Sequence, residues 1–382
     1  DIESPLVTAA VTSVAYPMRI GGNDRYETAA KVAAQVSDCT QNDYYYGYGV
    51  YNYAVLASGE NFPDALSASY LAGVLNDRGP AADSYYAGSG IVLLTKPNSI
   101  PAATLVALRE LGVRHVYIVG GPQAVSTAVE DQLKQTRATY CGGENYDNDQ
   151  FLDVQRVGGK DRYETAQLIT AAASALGGDN VGRATFTFGA PTKYTAIVAT
   201  GADFADALAA GPIAYRQRFP MLLTQPTTLS SNAASALRSL DIEQVLLLGG
   251  TSAVSQSVED AITAMGIKVI RLSGANRYAT ATALASFELA APATGPTTGV
   301  YDGGLNWDGS QVYLARGDLF PDALAGAVLG APILLTTPTA LQADTQTWLV
   351  ANKAAVDWVT ALGLGGAVSN STLTAAVQAV AG

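Results

Sequence analysis

Three arginine–tyrosine pairs, Arg25-Tyr26, Arg162-Tyr163 and Arg277-Tyr278, carry the side chains in this sequence best equipped to hold a ligand. A guanidinium fork can grip a phosphate or carboxylate through two parallel N–H bonds, and a phenol ring beside it can stack on a sugar. Each pair has a structural alternative, in which the arginine meets an aspartate of its own or a neighbouring unit and the tyrosine packs in the core. Asp64, Asp206 and Asp322 recur in the same manner, each at the start of an expected helix. A carboxylate there complements the helix dipole and is the natural partner of the repeated arginine. Asp24, Asp161 and Asn276, which precede the arginines, read more simply as helix caps than as ligands. The pairs Gly120-Gly121 and Gly249-Gly250 follow expected strands and precede helices, where dinucleotide-binding folds cradle phosphate. Neither belongs to a Gly-x-Gly-x-x-Gly pattern, so a tight turn is the simpler reading, one that still lets the turn meet a polymer phosphate.

Catalytic chemistry finds less to work with. His115 is the single histidine and begins an expected strand. No Ser–His–acid set can be assembled on more than one copy of the repeat described below, and no repeated acid pair has a nucleophile beside it. Cys39 and Cys141 lack a second cysteine or a histidine at metal-ligand spacing, so neither a metal nor a cofactor is expected. Tyr44, Tyr45, Tyr46, Tyr48, Tyr51 and Tyr53 could stack sugars, although such clusters more often cover a loop or a sheet edge. The formal net charge of −11 argues against nucleic-acid binding, which needs a strongly basic face. An anionic ligand would have to be held by a local cationic patch.

These residues sit on a unit that occurs three times. Arg19-Ile-Gly-Gly-Asn-Asp-Arg-Tyr-Glu-Thr-Ala29 returns from Arg156 to Ala166 and, more loosely, from Arg271 to Ala281. Three signatures follow in fixed order. The first is Phe62-Pro-Asp-Ala-Leu66, with counterparts at Phe204 to Leu208 and Phe320 to Leu324. The second is Ile91-Val-Leu-Leu-Thr95, with Met221 to Thr224 and Ile333 to Thr336. The third is Val116 to Gly121 with Ala124-Val-Ser126, answered by Val245 to Gly250 with Ala253-Val-Ser255. The last copy fits from Val359 to Ser369, but Leu364 replaces the second glycine. Short apolar runs bounded by glycine alternate with amphipathic runs such as 26–36 and 101–111, a βαβαβα pattern. Pro63, Pro101 and Pro321 suit first helical positions, and Ser126, Ser255 and Ser369 suit N-caps. The pattern predicts parallel sheets with helices on both faces, Rossmann-like or flavodoxin-like.

Between the last helix of copy 2 and the motif of copy 3 there is room for one strand, 268–272. It must end one unit and begin the next. Copy 3 has no such strand after its helix, so a strand around 14–20 is expected to fill the vacancy and close the units into a triangle. The expected units are 1–150, 151–268 and 269–382, the first with loop insertions near 76–90 and 136–151. No apolar run is long enough to span a bilayer, and the opening at Asp1 reads as a mature form from which a leader could already have gone.

The four motifs together resemble the type 2 cell-wall-binding repeat of Gram-positive surface proteins, over nearly the whole chain. The resemblance implies three Rossmann-like units in a pseudo-threefold ring. It further implies a secreted, non-enzymatic anchor on the cell surface that binds an anionic wall polymer, teichoic-acid-like or a secondary wall polysaccharide. Other surface proteins are further possible partners. The implied export favours one disulfide between Cys39 and Cys141 over two free thiols. A self-assembling surface-layer protein is the alternative, and a nucleotide- or small-molecule-binding α/β enzyme is a third reading.

Overall fold

The computed structural model describes residues 16–37, 52–76, 89–139, 150–176, 185–186, 193–291 and 304–382. Cys39, Cys141, the tyrosines from Tyr44 to Tyr51 and most of both expected insertions lie outside the described residues.

Three parallel sheets repeat one strand order. In the first, β3 (Gly90–Thr95), β2 (Asn52–Ser58), β4 (Val113–Val119) and β5 (Asp153–Val157) lie side by side. The second has β8 (Met221–Thr224), β7 (Lys193–Thr200), β9 (Gln244–Leu248) and β10 (Lys268–Leu272) in the same positions. A short antiparallel strand, β6 (Thr185–Phe186), is added to β7. The third sheet runs β12 (Ile333–Thr336), β11 (Gln311–Arg316), β13 (Trp358–Leu362) and β1 (Tyr16–Ile20).

The fourth strand of every sheet therefore comes from the segment that opens the next copy. β5 leads into α6 (Arg162–Leu176) and β10 into α10 (Arg277–Leu289). The vacancy after copy 3 is filled by β1, which pairs in register with β13 from Tyr16↔Trp358 to Ile20↔Leu362 and leads into α1 (Arg25–Val36). The three units close into a pseudo-threefold ring, as the repeat arithmetic required.

The sheets are buried on both faces, which is why their strands read as unbroken apolar runs. Val55, Ala57, Val92 and Leu94 face a central core shared by all three units, together with Ile197, Ala199, Leu246, Leu248, Ala315 and Leu335. The alternate residues face separate outer cores. Ala54, Leu56, Ile91 and Leu93 pack in one, Ala196, Val198, Val245 and Leu247 in a second, and Val312, Leu314, Leu334 and Ala361 in the third.

Helices α4 (Ala102–Glu110) and α5 (Thr127–Lys134) close the first outer core. α8 (Ser231–Ser239) with α9 (Gln256–Thr263), and α12 (Ala343–Ala351) with α13 (Asn370–Ala381), do so in the other units. Ser126, Ser255 and Ser369 hold the N-cap positions of α5, α9 and α13; Ser126 and Ser369 accept a main-chain N–H, whereas the Ser255 hydroxyl pairs with Ser257 at 2.7 Å.

Around the axis lie α2 (Phe62–Leu66) and α3 (Ala68–Leu75), α7 (Gly211–Gln217) with the 3-10 turn Leu208–Ala210, and α11 (Pro321–Gly326) with the 3-10 turn Ala327–Leu329. The approach there is close. A Cβ on Gly73 would stand 2.1 Å from the Tyr215 carbonyl oxygen, so only glycine lets α3 meet α7.

On the axis itself the rings of Phe62, Phe204 and Phe320 form a triad, with centroids 5.3, 5.9 and 6.2 Å apart. Each is the leading residue of the second motif of its copy. Aromatic pairs at such separations contribute about 0.5–1.5 kcal/mol beyond the area they bury.

Candidate functional site at the seams between units

Where one unit meets the next, the carboxyl ends of the parallel strands face the first helix of the following copy. Strand ends of this kind, at the crevice of an α/β sheet, are where ligands of such folds bind. Each seam is built from four repeated parts.

The first part is an arginine clamp. Arg19 donates from Nη1 to the Gly363 carbonyl at 2.7 Å, and from Nη2 to the Val368 carbonyl at 2.8 Å and Asn370 Oδ1 at 3.2 Å. Arg156 bonds the Gly120 and Ser126 carbonyls at 2.9 and 3.4 Å and pairs with Glu130 at 2.7 Å. Arg271 bonds the Gly249 and Val254 carbonyls at 2.7 and 2.9 Å and pairs with Glu259. In the sequence these three arginines mark only the start of the motif. They tie the shared strand to the turn and last helix of the preceding unit.

The second part is a hydroxyl relay into a buried carboxylate. Gly22 N, Gly159 N and Gly274 N donate to Thr28, Thr165 and Thr280 Oγ1 at 3.0–3.1 Å. A hydroxyl that accepts there keeps its own proton for another acceptor. Thr165 spends it on Asp64, Thr280 on Asp206 and Thr28 on Asp322, each an aspartate of the preceding unit. Burial is the main influence on all three carboxyls and pushes them above the usual carboxylate range. The threonine bond and the nearby guanidinium, Arg162 for Asp64 and Arg277 for Asp206, act the other way. Asp322 has two such cations, Arg316 and Arg25.

The third part is the turn within the fourth and last motif of each copy. Gly120, Gly249 and Gly363 hold φ of +104°, +92° and +86°, and a Cβ on them would stand 2.7, 2.5 and 2.8 Å from the Oδ2 atoms of Asp64, Asp206 and Asp322. Both the left-handed backbone and the aspartate exclude a side chain. The second glycine is under neither constraint. A Cβ on Gly250 meets nothing within 4 Å, and one on Gly121 finds only the Gly159 carbonyl, at 3.3 Å. Leu364 takes that position in copy 3 for this reason.

The fourth part is the arginine–tyrosine pair. Arg25, Arg162 and Arg277 donate from Nη1 to the carbonyls of Gly59, Gly201 and Gly317, at the end of the first strand of their own unit. Arg162 also lies 5.7 Å over the Phe62 ring and Arg277 5.6 Å over Phe204, within cation–π range of the preceding unit's aromatic. Tyr26 is buried, its hydroxyl 3.3 Å from Glu60, and burial with that carboxylate pushes the phenol up to about 12. Tyr163 and Tyr278 pack half-buried against the central core. A Cβ on Gly59, Gly201 or Gly317 would fall 2.7–2.9 Å from the corresponding ring, so these glycines exist to seat the tyrosines. Asp24, Asp161 and Asn276 accept the next two main-chain N–H groups as helix caps.

Two seams open into crevices. The one between units 1 and 2, of ≈ 690 Å³, is lined by Asn61, Asp64, Gln123, Lys160, Arg162 and others. The one that closes the ring, of ≈ 440 Å³, is lined by Asp24, Arg25, Arg316, Leu319, Asp322 and Leu364 among others. Both offer guanidinium, carboxyl and amide groups. Gly121 lines the first crevice, whereas Gly120, Gly249 and Gly250 form turns at their seams. Among the described residues, no three His, Cys, Asp or Glu side chains gather to hold a metal ion. His115 lies at the other end of its strand, its Nδ1 2.9 Å from Asp153 and its ring stacked 5.0 Å from Tyr53.

The repeats of this ring match the family model described as Cell wall binding domain 2 (CWB2) over residues 19–130, 156–259 and 271–373. The chain belongs to that family. Association with the cell wall follows from membership, and the three matched segments correspond to the three copies. The N-acetylmuramoyl-L-alanine amidase LytC of Bacillus subtilis is 28% identical over 313 residues, which are 82% of this chain and 48% of LytC. The amidase enhancer of the same organism is 28% identical over 84% of this chain and 34% of its own length. The chain thus spans half or less of these relatives. Among solved structures, Cwp6 from Clostridium difficile superposes with a TM-score of 0.69 at 24% identity, covering 98% of this chain and 50% of Cwp6. Cwp8 from the same organism gives 0.69 at 23% identity, over 95% of this chain and 51% of its own. At those identities the likeness speaks for the fold. No helix of the described residues is long and apolar enough to cross a membrane.

Proposed function

We propose that the ring is a non-enzymatic anchor that holds a secreted protein on a Gram-positive cell wall by gripping an anionic wall polymer at the seams between its units. The observation that carries this reading is the convergence of repeated polar residues at the seams. Asp64, Asp206 and Asp322 of one unit meet the Thr and Arg of the next, so the most strongly repeated charged residues lie at unit junctions. In this reading Arg25, Arg162 and Arg277 have two tasks. One N–H of each secures a strand-end carbonyl, and the rest of the fork faces the crevice, where a polymer phosphate or carboxylate binds. The aspartates hold the fork in place, the turns at Gly120-Gly121 and Gly249-Gly250 shape the floor, and Tyr26, Tyr163 and Tyr278 support the arginines from below. Such weak contacts along one polymer act together through effective concentration.

Co-sedimentation with purified wall sacculi tests the proposal, before and after chemical removal of the anionic polymers and across a salt series. Binding that disappears on removal and weakens with salt is the expected outcome. Undiminished binding to stripped walls would transfer the ligand to peptidoglycan. Failure to sediment with any wall, together with concentration-dependent assembly of the protein alone, would replace the anchor with a self-assembling surface protein.

A further inference from the structure

The three seams share a framework but differ at three rim positions. The residue before the motif phenylalanine is Asn61, Asp203 or Leu319. The residue before the helix cap is Lys160, Ala275 or Asn23, and the second turn residue is Gly121, Gly250 or Leu364, in seam order from units 1–2 onward. At the seam between units 2 and 3, Asp203 stands 4.0 Å from Arg277 Nη2 and its charge also bears on Asp206. There the arginine is answered by a carboxylate at the rim, and position 275 supplies no second cation. At the closing seam Arg316 is held by Asp318 through two bonds of 2.6 and 2.7 Å, and Leu319 and Leu364, each about two-fifths exposed, form an apolar lip. Between units 1 and 2 the rim is otherwise. Asn61 puts a neutral amide where Asp203 stands, and Gly121 leaves the turn open. Lys160 adds an exposed ammonium with no carboxylate partner among the described residues, beside Arg162 in the ≈ 690 Å³ crevice.

We infer that the crevice between units 1 and 2 is the principal oxyanion site of the ring, a single site that takes one phosphodiester or carboxylate of a polymer through Lys160 and Arg162, while Asp203 silences the seam between units 2 and 3. This rests on the anchoring reading given above and narrows it from contacts at every seam to one principal seam. In a molecule of net charge −11, binding an anion depends on where a further cation stands beside the motif arginine. Lys160 is such a cation; Asp64 and the cap Asp161 also line its crevice, but there Asn61 takes the place that Asp203 holds at the seam between units 2 and 3. The same comparison explains how a threefold framework carries unequal sites. The buried Asp–Thr–Gly relay keeps the fold and is repeated, while the rim decides the charge and is not.

Titration calorimetry of the full chain with a poly(glycerol phosphate) oligomer too short to reach two seams, and with a uronic-acid oligosaccharide of like length, tests the site and separates the two anion sources. One site per chain is expected for the oligomer that binds. Lys160→Ala and Asn61→Asp each weaken it about tenfold or more, and Asp203→Asn raises the stoichiometry toward two. All three positions lie at the rim, and thermal melts confirm that the variants are folded. A stoichiometry of three, or N61D and K160A binding like the unsubstituted chain, overturns the inference, as does the absence of binding to either oligomer. Sacculus sedimentation of the same proteins distinguishes the two levels of failure. If the unsubstituted chain sediments and both variants sediment equally, the anchor stands and the site is lost; if the unsubstituted chain does not sediment, the anchoring reading has itself failed.

Discussion

The seam that closes the ring and the seam between units 1 and 2 are built from the same parts, yet only one lies on continuous chain. β5 enters the first sheet and runs straight on into α6 of unit 2, so its strand and helix cannot drift from the unit that precedes them. β1 reaches β13 across the ring from the opposite end of the molecule, and its clamp, Arg19, bridges residues 344 to 351 positions apart in sequence. The clamp differs accordingly. Arg156 and Arg271 each pair with a glutamate of the helix they grip, whereas Arg19 bonds main-chain carbonyls and the Asn370 amide oxygen and pairs with no acid among the described residues. The closing seam is therefore the weakest link of an otherwise uniform ring. Its strand is brought in across the whole length of the chain, at a cost in loop-closure entropy, and its clamp makes as many hydrogen bonds as the others but without their ion pair.

The largest test of that contrast is removal of residues 1–20. Without β1 the edge of β13 is unpaired and the clamp is gone. Stability should fall by several kcal/mol, on the order of a third or more of what a typical domain possesses. Hydrogen exchange should accelerate first in β13 and α13. Equal exchange throughout the three sheets would show that closure contributes little.

Gly363→Ala comes next. The φ of +86° costs a side chain about 1–2 kcal/mol, and the new methyl also displaces the Asp322 carboxylate 2.8 Å away. A loss of roughly 2–4 kcal/mol in denaturant unfolding is expected, by the size usual for a strained, overpacked position. Gly366→Ala in the same turn, where a Cβ meets nothing, should be close to neutral. If the two substitutions cost the same, the left-handed turn is not what that glycine is for.

Arg19→Ala and Arg156→Ala sharpen the comparison at smaller scale. Each removes hydrogen bonds to partly buried carbonyls, worth about 1–3 kcal/mol in total. In R156A chain continuity keeps β5 at high effective concentration, so the loss should appear mainly in global unfolding. In R19A local opening of β1 should precede it, seen as exchange of 16–20 well before the rest of the sheet. The reverse order would place the weak seam elsewhere.

The architecture was legible because it is periodic. Four motifs in fixed order located the units, and the single strand's worth of sequence at 268–272 required that strands be shared and that the chain's beginning close the ring. Helix caps at Asp24, Asp161 and Asn276 could be read from local chemistry alone. What could not be read was direction across the ring. Phe62, Phe204 and Phe320 are far apart in sequence, and nothing local says that three motif-leading phenylalanines meet on one axis. Their recurrence before a small-residue helix was the available signal. Whether the motif tyrosines stack on a sugar or pack in the core could not be read, because an exposed and a buried Tyr look alike in a motif. The sign of their burial was the glycine ending each first strand, at 59, 201 and 317, which repeats in step with them. The departure at Leu364 likewise separated an obligatory glycine from a dispensable one, a distinction only the backbone angle and the aspartate beside it explain.

The smallest effect concerns pH and again sets one seam against another. Asp206 and Asp322 are both pushed above the unfolded range by burial, but Asp322 has two cations drawing it back, whereas Asp206 has one and bears the charge of Asp203 as well. A carboxyl with a raised folded pKa binds more protons in the folded than in the unfolded state. Stability is therefore highest below the unfolded value near 3.8 and is lost as pH rises through the folded value. Glu288 in α10, wholly buried with neither oxygen bonded among the described residues, follows the same rule with a larger displacement and would mask the aspartates. Measured in an E288Q background, melting temperature should still decline as pH rises from mildly acid toward neutral. Asp206→Asn should flatten that decline more than Asp322→Asn does, because a second arginine draws Asp322 down while the charge of Asp203 pushes Asp206 up. A larger effect from D322N would mean that Arg316, held by Asp318, does not reach the carboxylate, and that the closing seam is the more poorly compensated of the two.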